Sequence, residues 1–189
     1  MMITKEYADD IRLAFDRELY AKLIASLGKQ LNNRKDRFDK ADIIEQSIDV
    51  YTRGRLKWVD DIGRDHHDVT RGINLEFKYG ANCLFTTKRK DPKRVVSVKI
   101  KNSLGANKGT TIDNPADYYM IGQQDSIALI SFSDLEPFLK AVPDGIEAHI
   151  PFDSLDFIFA PKDVNIQDSK HVSYKVQKQR MQLNLIESM

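Results

Sequence analysis

The chain has a single cysteine among 189 residues, Cys83. One thiol cannot close an internal disulfide, so a disulfide framework is excluded and a reducing compartment is expected. Cys83 precedes Leu84-Phe85 and reads as a small buried hydrophobe. Long apolar runs are missing too. Nothing approaches the ~18 consecutive apolar residues of a membrane span, and Met1-Met2-Ile3-Thr4-Lys5-Glu6 lacks the apolar core of a signal peptide, so a cytoplasmic location and no membrane are expected. Charge of one sign is also absent, with 29 Lys and Arg against 28 Asp and Glu. Bulk charge therefore does not by itself indicate nucleic acid, and any site for a polyanion must arise from local clustering. No internal repeat, low-complexity block, phosphate-binding Gly-Lys-Thr motif or dinucleotide fingerprint occurs. No second His-rich or Cys-rich element accompanies His66-His67, which argues against zinc; the pair reads as polar surface at a turn.

What is present is an ordinary globular composition, 41% apolar and 30% charged, at a length suited to one domain with a small helical extension. Apolar residues at Ile11, Phe15, Leu19 and Leu23 predict an amphipathic helix over 4–31, interrupted near Gly28. The charged stretch 32–37 reads as a loop. A second helix is predicted from Asp39 to about Thr52, with Ile43, Ile44, Ser47, Ile48 and Tyr51 on its core face. The resulting division is an N-terminal helical arm, 1–38, and a domain, 39–189.

Strands are predicted at Leu56–Val59, anchored by the only tryptophan, Trp58, and at Asn74–Tyr79. The stretch 82–87 reads as extended or irregular, and strands continue at 94–100, 117–121, 126–132, 146–150 and 155–159, with turn residues between them. Ser133 and Glu136 have the spacing of a capping box for a helix over 134–142.

The densest chemistry lies in Asp65-His66-His67-Asp68-Val69-Thr70-Arg71-Gly72-Ile73-Asn74-Leu75-Glu76-Phe77-Lys78. Alternation along the second strand puts Leu75, Phe77 and Tyr79 on one face and Glu76 and Lys78 on the other. A three-residue loop over Arg71–Ile73 pairs Thr70 with Asn74 and sets Asp68 opposite Glu76. A two-residue loop sets Asp68 opposite Leu75, on the wrong face. Two adjacent carboxylates repel unless a cation sits between them, and they offer the hard oxygens that Mg²⁺ prefers. A bound metal can polarise a phosphodiester oxygen and lower the pKa of a water, while Lys78 orients the water and offsets phosphate charge. The alternative is a surface hairpin whose Glu and Lys simply face water.

This pattern resembles the PD-(D/E)XK nuclease superfamily, in which an Asp on one strand and a Glu-x-Lys on the next bind metal and position water. The resemblance covers about fifteen residues, and a bare Glu-x-Lys is common in proteins. It implies Asp68 as the first acid, Glu76 as the second and Lys78 as the lysine, with His67 where the family often has Pro. Asp65 is the rival first acid and metal ligand. Some relatives add an acid from the preceding helix, which here is Glu45; a solvated helical Glu is the alternative. The implied fold is α/β of restriction-endonuclease type, a mixed, mostly antiparallel central sheet flanked by helices. The implied activity is a Mg²⁺-dependent endodeoxyribonuclease acting on double-stranded DNA, a type II restriction enzyme working as a homodimer. A repair or junction-resolving nuclease and a non-catalytic DNA-binding module are the alternatives.

Three further stretches bear on DNA. Lys99 and Lys101 alternate to one strand face and lead into Asn102, Ser103, Asn107 and Lys108, a polar, glycine-containing stretch suited to phosphates or base edges. It reads equally as a loop without a ligand. The basic run 88–94 is either a phosphate contact or a solvated turn. The tail, 170–189, offers base-reading side chains but also apolar residues suited to packing.

Overall fold

The computed structural model describes residues 4–28, 34–61, 64–79, 83–87, 96–101, 116–143 and 146–160. Three helices come first: α1 (Thr4–Ala14), α2 (Arg17–Gly28) and α3 (Arg34–Tyr51). Strands β1 (Leu56–Asp61), β2 (Arg64–Asp68), β3 (Ile73–Tyr79), β4 (Cys83–Thr87), β5 (Val96–Lys101), β6 (Tyr118–Gln123) and β7 (Ser126–Ser131) follow, then α4 (Phe132–Lys140), β8 (Glu147–Pro151) and β9 (Asp156–Phe159).

Helix α2 ends at Gly28, where an interruption is expected, and the first helical stretch has a further break at Phe15-Asp16. Asp16 is the reason for that break: its side-chain oxygen accepts the Leu19 N–H at 3.1 Å and caps α2, the role that short acidic side chains favour over a helix interior. Phe15, left at the corner, drops into the core edge-on to Tyr20 and Phe159. Helix α3 begins at Arg34, inside the stretch expected to be a loop. Its Lys, Arg and Asp residues include no helix breaker, so charge alone did not end the helix.

The protein is α/β with a mixed central sheet. Six strands run in the order β1-β2-β3-β6-β7-β9, and a smaller sheet runs β4-β5-β8. Within the large sheet β3 and β6 are parallel, Leu75 facing Tyr118 and Lys78 facing Ile121, while the remaining neighbours are antiparallel. A parallel pair needs a crossover, and here the chain passes through β4 and β5 between its two members.

Strand alternation sorts side chains to two cores. On one face, Leu75, Phe77, Met120 and Leu129 pack with Tyr7, Ile11, Phe15, Tyr20, Ile44 and Ile48 from the first three helices. The residues expected to form an arm thus pack into the main core. Arg12 of α1 also reaches the far strand, donating to the Ile158 carbonyl at 2.7 Å and the Phe157 carbonyl at 2.6 Å. On the other face, Tyr119, Ile121, Ala128 and Ile130 pack with Leu135 and Leu139 of α4 and Ala148 and Ile150 of β8. Glu76 and Lys78 pair with Tyr119 and Ile121 of that second core, so their side chains lie beside it on the same face.

Helix α4 starts earlier than expected. Ser131, not Ser133, is the cap; its Oγ accepts the Asp134 N–H at 3.2 Å and donates to the Asp134 carboxylate at 2.8 Å. The box therefore closes on Asp134 and leaves Glu136 out of it. Gly122 in β6 is required for packing, since a Cβ there would lie 2.8 Å from the Tyr79 ring and 3.0 Å from that of Phe77. No helix among the described residues is long and apolar enough to cross a membrane.

Candidate active site

The hairpin exists, but its register differs from the expected one. Asp68 pairs with Ile73, His67 with Asn74 and His66 with Leu75, so residues 69–72 form the turn and Asp68 does not face Glu76. The cause is the Asp68 side chain itself. Its Oδ1 accepts the N–H groups of Thr70 at 2.9 Å and Arg71 at 3.0 Å, while its carbonyl accepts the Gly72 N–H at 2.8 Å. Gly72 closes this turn at φ +67°, where a Cβ is disfavoured.

Asp68 is 0% exposed and points to the helix-covered face. Its Oδ2 accepts the Tyr7 hydroxyl at 2.8 Å and the Arg55 guanidinium at 3.2 Å. Arg55 also binds Asp10 at 2.6 Å, and Arg71 reaches the same Asp10 carboxylate at 3.1 Å. A buried carboxylate is tolerable only with such a set of donors. The two guanidinium groups hold Asp10 below the usual carboxylate range. Desolvation, reinforced by the Asp68 charge, raises the Tyr7 hydroxyl far above its usual value. Asp68 thus ties α1, the start of β1 and the turn together.

The same register carried one step further sets Asp65 across from Glu76. The β2–β3 ladder ends at His66 and Leu75, and β2 continues against β1, Arg64 facing Asp61. Where the ladder opens, the Asp65 carboxylate takes the Phe77 N–H at 2.7 Å. Asp65 also lies against the carboxyls of Glu76 and of Glu45 on α3, close enough for its charge to act on both. Glu76 in turn contacts the Lys78 ammonium, with side chains 14% and 28% exposed. One helix and two strands therefore bring Glu45, Asp65, Glu76 and Lys78 to one place.

The electrostatics follow from crowding. Desolvation first, then the charges of Asp65 and Glu76, push the Glu45 carboxyl up to about 8. Glu76 is also raised, by desolvation and by Asp65, with Lys78 acting against both. Carboxylates in this state share protons when no other cation is present. Among the described residues no group of three His, Cys, Asp or Glu side chains is placed to hold a metal ion as it stands; the acids meet pairwise around Asp65.

Of the expected site residues, the structure brings Asp65, Glu76 and Lys78 together and sets Asp68 apart from them. It adds Glu45, weighed in the sequence as a solvated helical residue. The available signal was its position beside the fully buried Ile44 and one turn from Ile48. The histidines correct another expectation: His66 is buried, because it shares the helix-facing side of β2 with Asp68, while His67 is half-buried with Nδ1 2.8 Å from the Asn74 side-chain oxygen. Lys99 and Lys101 lie on β5 of the small sheet, Lys99 paired with Leu84 and His149. Asn102, Ser103, Asn107, Lys108, the basic run 88–94 and the tail 170–189 lie outside the described residues.

No family model, no curated protein and no solved structure matches the chain. Function is therefore argued from the site alone.

Proposed function

We propose that this protein is a Mg²⁺-dependent endodeoxyribonuclease of the PD-(D/E)XK kind, with Asp65 as first acid, Glu76 as second and Lys78 as the lysine. Glu45 is the additional acid from the preceding helix. The observation that carries this reading is the convergence of the Glu45, Asp65 and Glu76 carboxyls, with Lys78 against Glu76 and the Phe77 N–H on Asp65. Asp68 is withdrawn from the catalytic set because its oxygens are occupied by turn amides, Tyr7 and Arg55.

The donor set fits Mg²⁺. Its ligands would be hard carboxylate oxygens, and the raised Glu45 and Glu76 carboxyls mark negative charge in excess of what Lys78 neutralises. Asp65, Glu76 and Glu45 are the residues that would hold the ion. When bound it supplies Lewis acidity toward a phosphodiester oxygen and toward water. In phosphodiester hydrolysis a water oxygen bonds to phosphorus and one P–O ester bond breaks; water loses a proton and the leaving oxygen gains one. The Phe77 N–H fixes the orientation of Asp65. Lys78 steadies Glu76 and offers an ammonium for the attacking water and the phosphate charge.

The particular form we infer is a type II restriction endonuclease, a homodimer on double-stranded DNA with contacts from the stretch that begins at Lys99 and Lys101; this part rests on the sequence resemblance. The test incubates purified protein with supercoiled plasmid, linear, branched and mismatched DNA in Mg²⁺ or EDTA. Discrete Mg²⁺-dependent bands from plasmid support the restriction reading, and preferential cutting of branched or mismatched DNA moves the enzyme to resolution or repair. Glu76→Ala and Lys78→Ala are expected to abolish cleavage while DNA binding persists. Binding with no wild-type cleavage on any substrate leaves a non-catalytic DNA-binding module.

A further inference from the structure

His66 stands between the two elements that carry the acids. Its side chain is 0% exposed, and its ring packs edge-on to Phe77, with centroids 6.4 Å apart at 82°. Nε2 lies 2.7 Å from the backbone carbonyl oxygen of Glu45. A carbonyl only accepts, so Nε2 carries the proton and donates it. Nδ1 is then a buried lone pair with no partner among the described residues. One side chain thus spans from the β2 backbone beside Asp65 to the α3 backbone at the residue whose carboxyl Asp65 meets.

Helix α3 otherwise packs on this side through Ile44 and Ile48, with one further polar tie a turn beyond Glu45, where the Asp49 carboxylate accepts the Trp58 N–H of β1 at 3.1 Å. Apolar burial is non-directional and fixes the distance of a helix from a sheet better than its slide or rotation. Carboxylates that share one ion need placement within about 0.5 Å. A short hydrogen bond from β2 to the Glu45 backbone supplies that directional restraint. Burial also lowers the pKa of His66, against opposing pulls from Asp65, Asp49 and the Glu45 carbonyl, consistent with a neutral ring.

We infer that His66 is a positioning residue: its Nε2–H bond to the Glu45 carbonyl sets α3 against β2 so that the Glu45 carboxylate meets Asp65. Its consequence for metal affinity rests on the proposed function; the positioning itself does not.

The test compares His66→Phe, which keeps the ring and removes the donor, with His66→Gln, whose amide nitrogen can occupy the place of Nε2. Mn²⁺ binding, followed by electron paramagnetic resonance, is expected to weaken at least about tenfold in His66→Phe, as when an outer-shell partner is lost, and to return toward wild type in His66→Gln. In metal-free protein, amide exchange along α3 around Glu45 is expected to quicken in His66→Phe and slow again in His66→Gln. A folded His66→Phe that matches wild type in both measurements, or equal losses in both variants, overturns the inference. Wild-type protein that binds no Mn²⁺ removes the metal reading, while the exchange comparison still decides the role of His66. Should His66→Phe not fold, ¹⁵N spectra of the wild-type imidazole decide: an Nε2–H tautomer is expected, and an Nδ1–H tautomer overturns it.

Discussion

The two aspartates of β2 are three residues apart and live in opposite electrostatic worlds. Asp68 lies deeper, yet its oxygens are met by two turn amides, a phenol and a guanidinium. Asp65 is half-buried and is met by one backbone N–H and two other acids. Burial alone therefore does not mark a functional carboxylate. The informative quantity is whether the surrounding donors satisfy its charge; Asp68 is satisfied and structural, whereas the group around Asp65 holds unneutralised charge that suits a cation.

The widest separation between the two is expected in paired assays of cleavage and stability. Asp65→Asn and Glu76→Gln should lower plasmid cleavage by at least about 10²-fold, the effect of several kcal/mol of lost charge stabilisation, with little change in the urea midpoint. Asp68→Ala should do the reverse to stability, destabilising the fold by about 3–5 kcal/mol because it leaves the buried Tyr7 hydroxyl and two turn amides without their acceptor and Arg55 with only one of its two carboxylate partners. If Asp68→Asn folds and loses cleavage as completely as Asp65→Asn, the contrast between the two ends of β2 collapses.

The pH profile gives a second and smaller contrast. Glu45 titrates near the ordinary carboxylate value of 4.5 when unfolded, and burial beside Asp65 and Glu76 pushes it up to about 8 when folded. A raised folded pKa means that the folded state holds the extra proton between those values, so its contribution to stability is complete below about 4.5 and is lost as pH rises through about 8. Urea unfolding of metal-free protein should therefore show stability declining across that window, and Glu45→Gln should flatten the decline. Mn²⁺ affinity should rise over the same range, because the ion competes with the proton. A decline unchanged in Glu45→Gln would assign it to other groups.

The smallest effect is expected at Tyr7. Tyr7→Phe removes one of the four Asp68 donors and should cost about 1–3 kcal/mol in unfolding free energy, with cleavage by the folded protein unchanged. A loss of cleavage there would mean that the Asp68 end communicates with the acids more tightly than the present contrast allows.

Alternation made the hairpin and the shared face of Glu76 and Lys78 legible in the sequence, because period two is local to a strand. Register was not legible. It was decided by how the Asp68 side chain folds over Thr70 and Arg71, and that choice moved Asp68 from Glu76 to Ile73 and brought Asp65 across from Glu76. Both aspartates are candidates in the sequence, but alternation carries no information on turn type and so does not choose between them. Glu45 stays open for a related reason: a helical Glu beside a core face is either an added acid or solvated until the strand end that meets it is known. The Asp16 cap and the shift from Ser133 to Ser131 show the same limit, since several side chains nearby could have served and packing selected among them.

The parallel pairing of β3 with β6 has an evolutionary consequence. Its members are tied at Asn74 and Asp117, which lie 43 residues apart along the chain yet exchange a 2.8 Å hydrogen bond. Closing a loop of that size costs only about 0.6 kcal/mol more for each doubling of its length. Lengthening this crossover outside β4 and β5, whose pairing with β8 fixes their own length, therefore adds little thermodynamic penalty, while the strand bearing Glu76 and Lys78 stays clamped between two neighbours. Descendants of this chain can diversify in that span without disturbing the residues proposed to do the chemistry.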